Sequence, residues 1–168
     1  TGTATRAEKN AKLRESNLED LVANGDISIL TVPVLAKARR TLSLLKPPIQ
    51  RLTTCGVWIH GPPGTGKTHY ARHSFGDSVF MKSQSKWFDG YQNEDVIVLD
   101  DLDTNVLGHY LKIWTDKWPC YGEIKGGTIG LRHTLFVVTS NYTPNILWSE
   151  DVAMAAAVSR RCIFKHMK

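Results

Sequence analysis

Eight consecutive residues, Gly61-Pro62-Pro63-Gly64-Thr65-Gly66-Lys67-Thr68, complete the pattern G-x-x-x-x-G-K-[ST]. Each residue type in it suits a phosphate. Gly64 and Gly66 let the backbone curl so that successive N–H groups face one anion. Lys67 can reach the β- and γ-phosphates of a nucleoside triphosphate, and the Thr68 hydroxyl is a natural ligand for Mg²⁺. Gly61, Pro63 and Thr65 complete the predicted nucleotide-binding loop. The motif requires a strand before it and a helix after it. Val57-Trp58-Ile59 is apolar and of strand length, and residues 66–75 read as a helix. A nucleotide loop is therefore preferred to a chance match.

Two further strand ends carry polar groups that belong with such a loop. Val96-Ile97-Val98-Leu99 runs into Asp100-Asp101, 33 positions after Lys67. A carboxylate there holds the Mg²⁺ shell, and a second can deprotonate the attacking water. Asp100 is assigned the metal side and Asp101 the base. Without the loop, a solvated strand terminus would be the better reading, since Asp also favours turns. Leu135-Phe136-Val137-Val138-Thr139-Ser140 ends likewise on Asn141, either a γ-phosphate sensor or a turn residue before Thr143-Pro144. Arg160-Arg161 follows a small-residue helix. Arginine suits transferred phosphoryl charge, in cis or from a neighbouring subunit, although a surface pair is the ordinary alternative.

Other chemistry is weaker. His69 and His73 lie four apart on the predicted helix, but no glutamate follows His69 and no third zinc ligand suggests itself. Trp87, Phe88 and Tyr91 could stack on bases. Around an Asp-Gly turn they are better read as anchors of a loop, and Trp114 and Trp118 as core or interface. Gly122 to Thr128 clusters glycines beside Lys125, as at a tight hairpin tip. Unaided, that reads as an exposed turn.

The elements that must position these residues follow from apolar runs. Residues 57–59, 79–81, 96–99 and 135–138 are uninterruptedly apolar, which marks strands covered on both faces, as in a parallel α/β sheet. Helices are predicted near 66–75, 104–117 and 150–159, a hairpin over 121–131, and a last strand over 162–165. Upstream, residues 1–15 read as a polar lead-in or linker. Ser16-Asn17-Leu18-Glu19 matches a capping box with Gly25 as the stop. A second helix is expected from near Thr31 to the Pro47-Pro48 break, its apolar stripe Val34, Leu35, Ala38, Leu42 and Leu45. The expected fold is α/β, a P-loop sheet flanked by helices over 51–168, preceded by a small helical unit over 16–50.

Composition narrows the class. The chain has 168 residues, 42% of them apolar, enough for a self-sufficient core. Net charge is +5, with 8 basic and 5 acidic residues in the first fifty. That permits a nucleic-acid partner without establishing one. Cys55, Cys120 and Cys162 form no C-x-x-C pair, which speaks against a disulfide framework and for a reducing, intracellular setting. No run approaches the ~20 apolar residues of a membrane span, so a soluble protein with no membrane partner is expected.

Taken in order, G-P-P-G-T-G-K-T, W-F-D-G-Y (Trp87 to Tyr91), V-I-V-L-D-D, I-K-G-G-T (Ile124 to Thr128), V-V-T-S-N and S-R-R give the chain a family likeness. Residues 51–165 resemble the superfamily 3 helicase domain of replication-initiator (Rep) proteins of circular single-stranded DNA viruses, circoviruses above all. The W-F-D-G-Y and K-G-G elements are the specific ones. The resemblance implies a modified AAA+ fold, a hexameric ring, ATP hydrolysis with Mg²⁺, translocation on single-stranded DNA and an infected-cell, nuclear location. It makes Lys67 and Thr68 the Walker A pair, Asp100 and Asp101 the Walker B pair and Asn141 the sensor. Lys125, Gly126 and Gly127 fall in the DNA-contacting hairpin, and Arg160 or Arg161 is the arginine finger. By position and character only, 16–50 corresponds to the family's small oligomerisation segment. The family's N-terminal endonuclease, with its histidine motif and tyrosine nucleophile, has no counterpart here and is expected in the full-length protein. The alternatives are a small-molecule P-loop kinase and a nucleotide-dependent assembly module without DNA activity.

Overall fold

The computed structural model describes residues 2–168. Its strands are β1 (Gly56–His60), β2 (Val79–Lys82), β3 (Val96–Leu99), β4 (Tyr121–Ile124), β5 (Gly127–Gly130), β6 (Leu135–Ser140) and β7 (Cys162–His166). Its helices are α1 (Arg6–Glu15), α2 (Leu18–Ala23), α3 (Val32–Leu44), α4 (Lys67–His73), α5 (Gly108–Trp114), α6 (Pro144–Leu147) and α7 (Val152–Ser159). The chain divides into two compact units, residues 1–45 and 46–168.

In the second unit five strands form one parallel sheet in the order β2-β3-β6-β1-β7, while β4 and β5 make a separate antiparallel hairpin. The uninterrupted apolar runs are the inner strands: all four residues of β3 are buried, as are five of the six in β6. One face carries Ile59, Val96, Val98 and Val137, packed with Ala71 of α4. On the other, Trp114 stacks on Phe136 at 5.5 Å and Trp148 meets Trp58 edge-on at 6.2 Å. Helices α5 and α6 both pack on α7. The sheet is thus an α/β P-loop sandwich, with β2 and β7 at its edges.

The unit begins at Lys46, ahead of the expected boundary at 51. The Ile49 N–H donates to the Leu131 carbonyl, and the Arg132 guanidinium donates to that of Pro47. Arg51 is buried and fully used. It donates to the carbonyls of His133 (2.6 Å), Asp116 and Trp118 and to His133 Nδ1. His133 is itself buried, and its Nε2–H donates to the Trp114 carbonyl at 2.7 Å. Burial and the neighbouring guanidinium push the His133 pKa down to about 3.

The first unit departs from the sequence reading. The stretch expected as a polar lead-in contains α1, opened by a complete capping box between Thr5 and Glu8. No residue of α1 is buried, so it lacks the apolar stripe by which a helix is recognised. Ser16 does not open the next helix. It closes α1, and the N-cap of α2 is Asn17, whose side chain accepts from the Glu19 N–H at 2.7 Å. Gly25 does end that turn, at φ +74. Helix α3 starts after Thr31, with Pro33 in its first turn. Arg39 of α3 reaches back to the carbonyls of Leu13 and Ser16, and Lys12 pairs with Asp26 at 2.8 Å. Among the described residues, no helix is long and apolar enough to cross a membrane.

Candidate nucleotide site

The loop leaves the carboxyl end of β1, and Asp100, Asp101 and Asn141 leave the same ends of β3 and β6. Parallel strands place these ends side by side, where ligands of α/β sheets bind. A cavity of about 330 Å³ opens there, lined by Pro63, Gly64, Thr65, Gly66, Lys67, Thr68, Asp101, Thr139 and Asn141. The sequence-predicted nucleotide residues therefore converge, with Gly61 buried at the foot of the loop. Gly64 (φ +78) and Gly66 (φ +83) adopt the left-handed backbone that glycine tolerates, and nothing lies within 4 Å of where their Cβ atoms would be. That open space lets an anion approach the loop's N–H groups.

Lys67 is the first residue of α4 and is buried at the base of the loop. Its ammonium donates to the carbonyls of Gly61 (2.8 Å) and Pro62 (2.7 Å), so the lysine is held inside the loop that would cradle phosphate. The Thr68 hydroxyl donates to Asp100 Oδ1 at 2.8 Å, and the Thr139 hydroxyl donates to the same oxygen at 2.7 Å. A hydroxyl and a carboxylate oxygen side by side are a hard-donor set fit for Mg²⁺. Asp101 is different. It is exposed, lines the cavity, and has φ +54, an unusual conformation for a residue with a side chain. Its N–H donates to Thr139 Oγ1 at 2.7 Å. The two neighbouring acids therefore stand in different places, one beside Thr68 and one on the open cavity.

Thr139 escaped the sequence reading. A threonine inside an apolar strand gives no signal until the neighbouring strand brings Asp100 beside it.

Arg160 and Arg161 are not part of this cavity. They directly precede β7, whose first residue, Cys162, lies beside Gly56, the first residue of β1. The loop leaves the opposite end, about 13 Å away at ~3.3 Å per strand residue. The two arginines also differ. Arg161 is half-buried, bonded to Asp116 at 3.1 Å and to the Ala157 carbonyl. Burial alone would raise the Asp116 carboxyl, but the Lys117 N–H and Arg161 outweigh it and hold the pKa below its ordinary value. Arg160 is exposed.

Lys125, Gly126 and Gly127 sit at the β4–β5 tip, all exposed, with Gly126 at φ +94 making the turn. They are separate from the cavity. Phe88 and Tyr91 are fully buried and serve as loop anchors, Phe88 edge-on to Trp114 at 5.1 Å. Trp118 is 56% exposed, unlike Trp114. His69 and His73 are exposed, and no cluster of three metal-ligating side chains occurs among the described residues.

The family model described as RNA helicase matches residues 57–121, which hold the loop, the paired acids and the W-F-D-G-Y element. The replication-associated protein of Porcine circovirus 1 is 37% identical over 106 residues, covering 61% of this chain and 34% of that protein. That of Goose circovirus is 30% identical over 164 residues, covering 91% of this chain and 56% of that protein. The chain is similar to the helicase region of viral Rep proteins. It spans about a third to just over half the length of these Rep relatives. The genome polyprotein of Human rhinovirus 1B also matches, 34% identical over 71 residues, 39% of this chain and 3% of that protein. At 91% of this chain, the match to the Goose circovirus protein extends into both compact units.

Proposed function

We propose that this Rep helicase domain is the ATP-driven motor of a rolling-circle replication initiator, moving on single-stranded DNA as a ring, in a hexamer. The observation that carries the reading is the convergence of Lys67, Thr68, Asp101 and Asn141 on one cavity at the carboxyl ends of β1, β3 and β6, with Asp100 hydrogen-bonded to Thr68. In this reading Lys67 turns from the loop carbonyls to the β- and γ-phosphates, and the loop N–H groups bind the phosphate oxygens. Thr68 and Asp100 would hold Mg²⁺, which would supply charge neutralisation for the phosphates. Asp101 accepts the proton of the attacking water, and Asn141 orients that water or the γ-phosphate.

The cavity lacks an arginine of its own, and Arg160 lies at the far end of the sheet, so the finger serves the site of an adjacent subunit. Arg160 is assigned this role over Arg161, which its own Asp116 already occupies. A head-to-tail contact of this kind closes into a ring. The first unit supplies further contacts, since Val34, Leu42 and Leu45 of the predicted stripe are all half or more exposed. Lys125, Gly126 and Gly127 present one ammonium and open N–H groups to a DNA phosphate, a contact without sequence information. In the full-length protein an N-terminal endonuclease precedes this motor, and the assembly works in the infected cell's nucleus.

ATP hydrolysis with and without single-stranded DNA, measured beside solution mass, tests the reading. DNA-stimulated hydrolysis by a ring supports it. Phosphorylation of a small acceptor without a DNA effect would make the chain a kinase, and nucleotide-dependent assembly without turnover would make it a scaffold.

A further inference from the structure

Between β2 and β3 the chain runs past two functional elements in turn. Gln84 stands beside the second acid. Its Nε2 donates to the Asp101 carbonyl at 2.8 Å, and its Oε1 accepts from the Asp103 N–H at 3.3 Å. One amide therefore grips the backbone on both sides of Leu102. Thr139 grips the other side, through the Asp101 N–H and, from its carbonyl, the Leu102 N–H at 2.8 Å. The left-handed conformation of Asp101 persists only where its surroundings over-determine it. Gln84 and Thr139 are those surroundings.

Residues 86–89 then fasten to the hairpin. The Phe88 N–H donates to the Glu123 carbonyl at 2.9 Å, and Trp87 bridges to Glu123. Lys86 lies 3.5 Å from the Glu123 carboxylate. At the tip, the Lys125 N–H donates to the Asp89 carboxylate at 3.3 and 3.4 Å. Buried Lys82 locks the stretch between the two ends. Its ammonium donates to the carbonyls of Ser83, Ser85 and Trp87 and sits over the rings of Phe88 (4.4 Å) and Trp114 (4.8 Å). Burial pushes the Lys82 pKa down to about 8, still above neutrality, so the ammonium keeps its charge and its three carbonyls.

We propose that residues 84–89 form a strap joining the hydrolytic acid to the hairpin, with Gln84 as a positioning residue for Asp101. Load on the hairpin shifts the backbone that aims the Asp101 carboxylate, so DNA alters turnover; by linkage, nucleotide alters DNA affinity by the same factor that DNA alters nucleotide affinity. This rests on the motor reading above.

The test uses the full chain with Gln84→Ala, which removes both hydrogen bonds, and Gln84→Glu, which keeps only the acceptor for Asp103. In both, kcat for ATP falls about fivefold or more at nearly constant KM, and stimulation by single-stranded DNA disappears. Added to Asp101→Asn, neither variant lowers kcat further, as residues acting as one unit are non-additive. Amide hydrogen exchange on the nucleotide-free chain gives a readout independent of turnover. Exchange at residues 86–89 and 123–125 accelerates in Gln84→Ala, while that of β1 is unchanged. Unaltered exchange at 123–125 overturns the strap. Full DNA stimulation in a Gln84→Ala chain that melts like its parent overturns it equally. A parent chain without turnover defeats the motor reading alone, and the exchange data still decide the strap.

Discussion

Lys67 and Asp101 line the same cavity, yet their replacement has different consequences. The Lys67 ammonium contacts only loop carbonyls, so Lys67→Ala leaves the sheet packing intact. Hydrolysis falls to background and nucleotide affinity falls with it, while the melting temperature stays within a few degrees. Asp101→Asn keeps size and loop contacts but cannot take a proton. It retains nucleotide binding and loses about 10²–10⁴ in turnover, the usual worth of a general base. Equal loss of binding in both variants would show the division of roles to be wrong. A third residue-scale consequence concerns acid. His133 is held neutral with a pKa of about 3, against 6.5 for a free imidazole. Between those values the unfolded chain binds the proton and the folded chain does not, so this contribution to stability is lost as pH falls from 6.5 toward 3. Denaturant titrations from pH 7 to 4.5 should show a slope of up to about 1.4 kcal/mol per pH unit from this group, reduced in His133→Gln.

At the scale of elements, the hairpin is anchored at its base and exposed at its tip. Cys120 and Ile129 are buried where the strands join the core, whereas Lys125 to Gly127 meet solvent. In the proposed reading, a tip held this way would take phosphate without ordering new backbone. Lys125→Ala should weaken binding to single-stranded DNA of any sequence. For every phosphate the variant no longer neutralises, the slope of log affinity against log salt should flatten by ~0.7. Affinity and slope unchanged, in a variant that still assembles, would move the DNA path elsewhere. Sequence read this hairpin correctly because clustered glycines are a local signal. It missed α1 because Leu13 is that helix's single large apolar residue, too little to make a stripe, and the Thr5–Glu8 capping box carries no periodicity of its own.

For the whole molecule, the arginine pair lies at the sheet end opposite the loop, so the proposed finger role calls for a second subunit. Arg160→Ala should leave nucleotide affinity nearly intact and lower turnover by about 10³ or more. Mixing it with Lys67→Ala should restore some activity, because an intact loop and an intact finger can meet across one interface. A monomer hydrolysing ATP at full rate removes the idea. Arg161→Ala is expected to act otherwise. It strips Asp116 of its partner, so it should destabilise the fold by about 2 kcal/mol, the worth of a charged hydrogen bond, and lower the melting temperature.

The sequence by itself determined what is contiguous. The loop from Gly61 to Thr68 is one run of chain whose residue types answer to phosphate, and the inner strands announce themselves because burial on both faces demands unbroken apolarity. Adjacent residues with equal side chains were beyond its reach. Asp100 and Asp101, or Arg160 and Arg161, are identical in type and differ only in which distant group meets them. Thr139, 39 positions on, takes Asp100 by its carboxylate and Asp101 by its backbone. Asp116, 45 positions back, takes Arg161 and leaves its neighbour exposed. Those pairings, like the hold of Gln84 on Asp101, exist only once strand order has brought remote segments together. Propensity and periodicity act over a few residues, whereas the sheet acts over the whole chain.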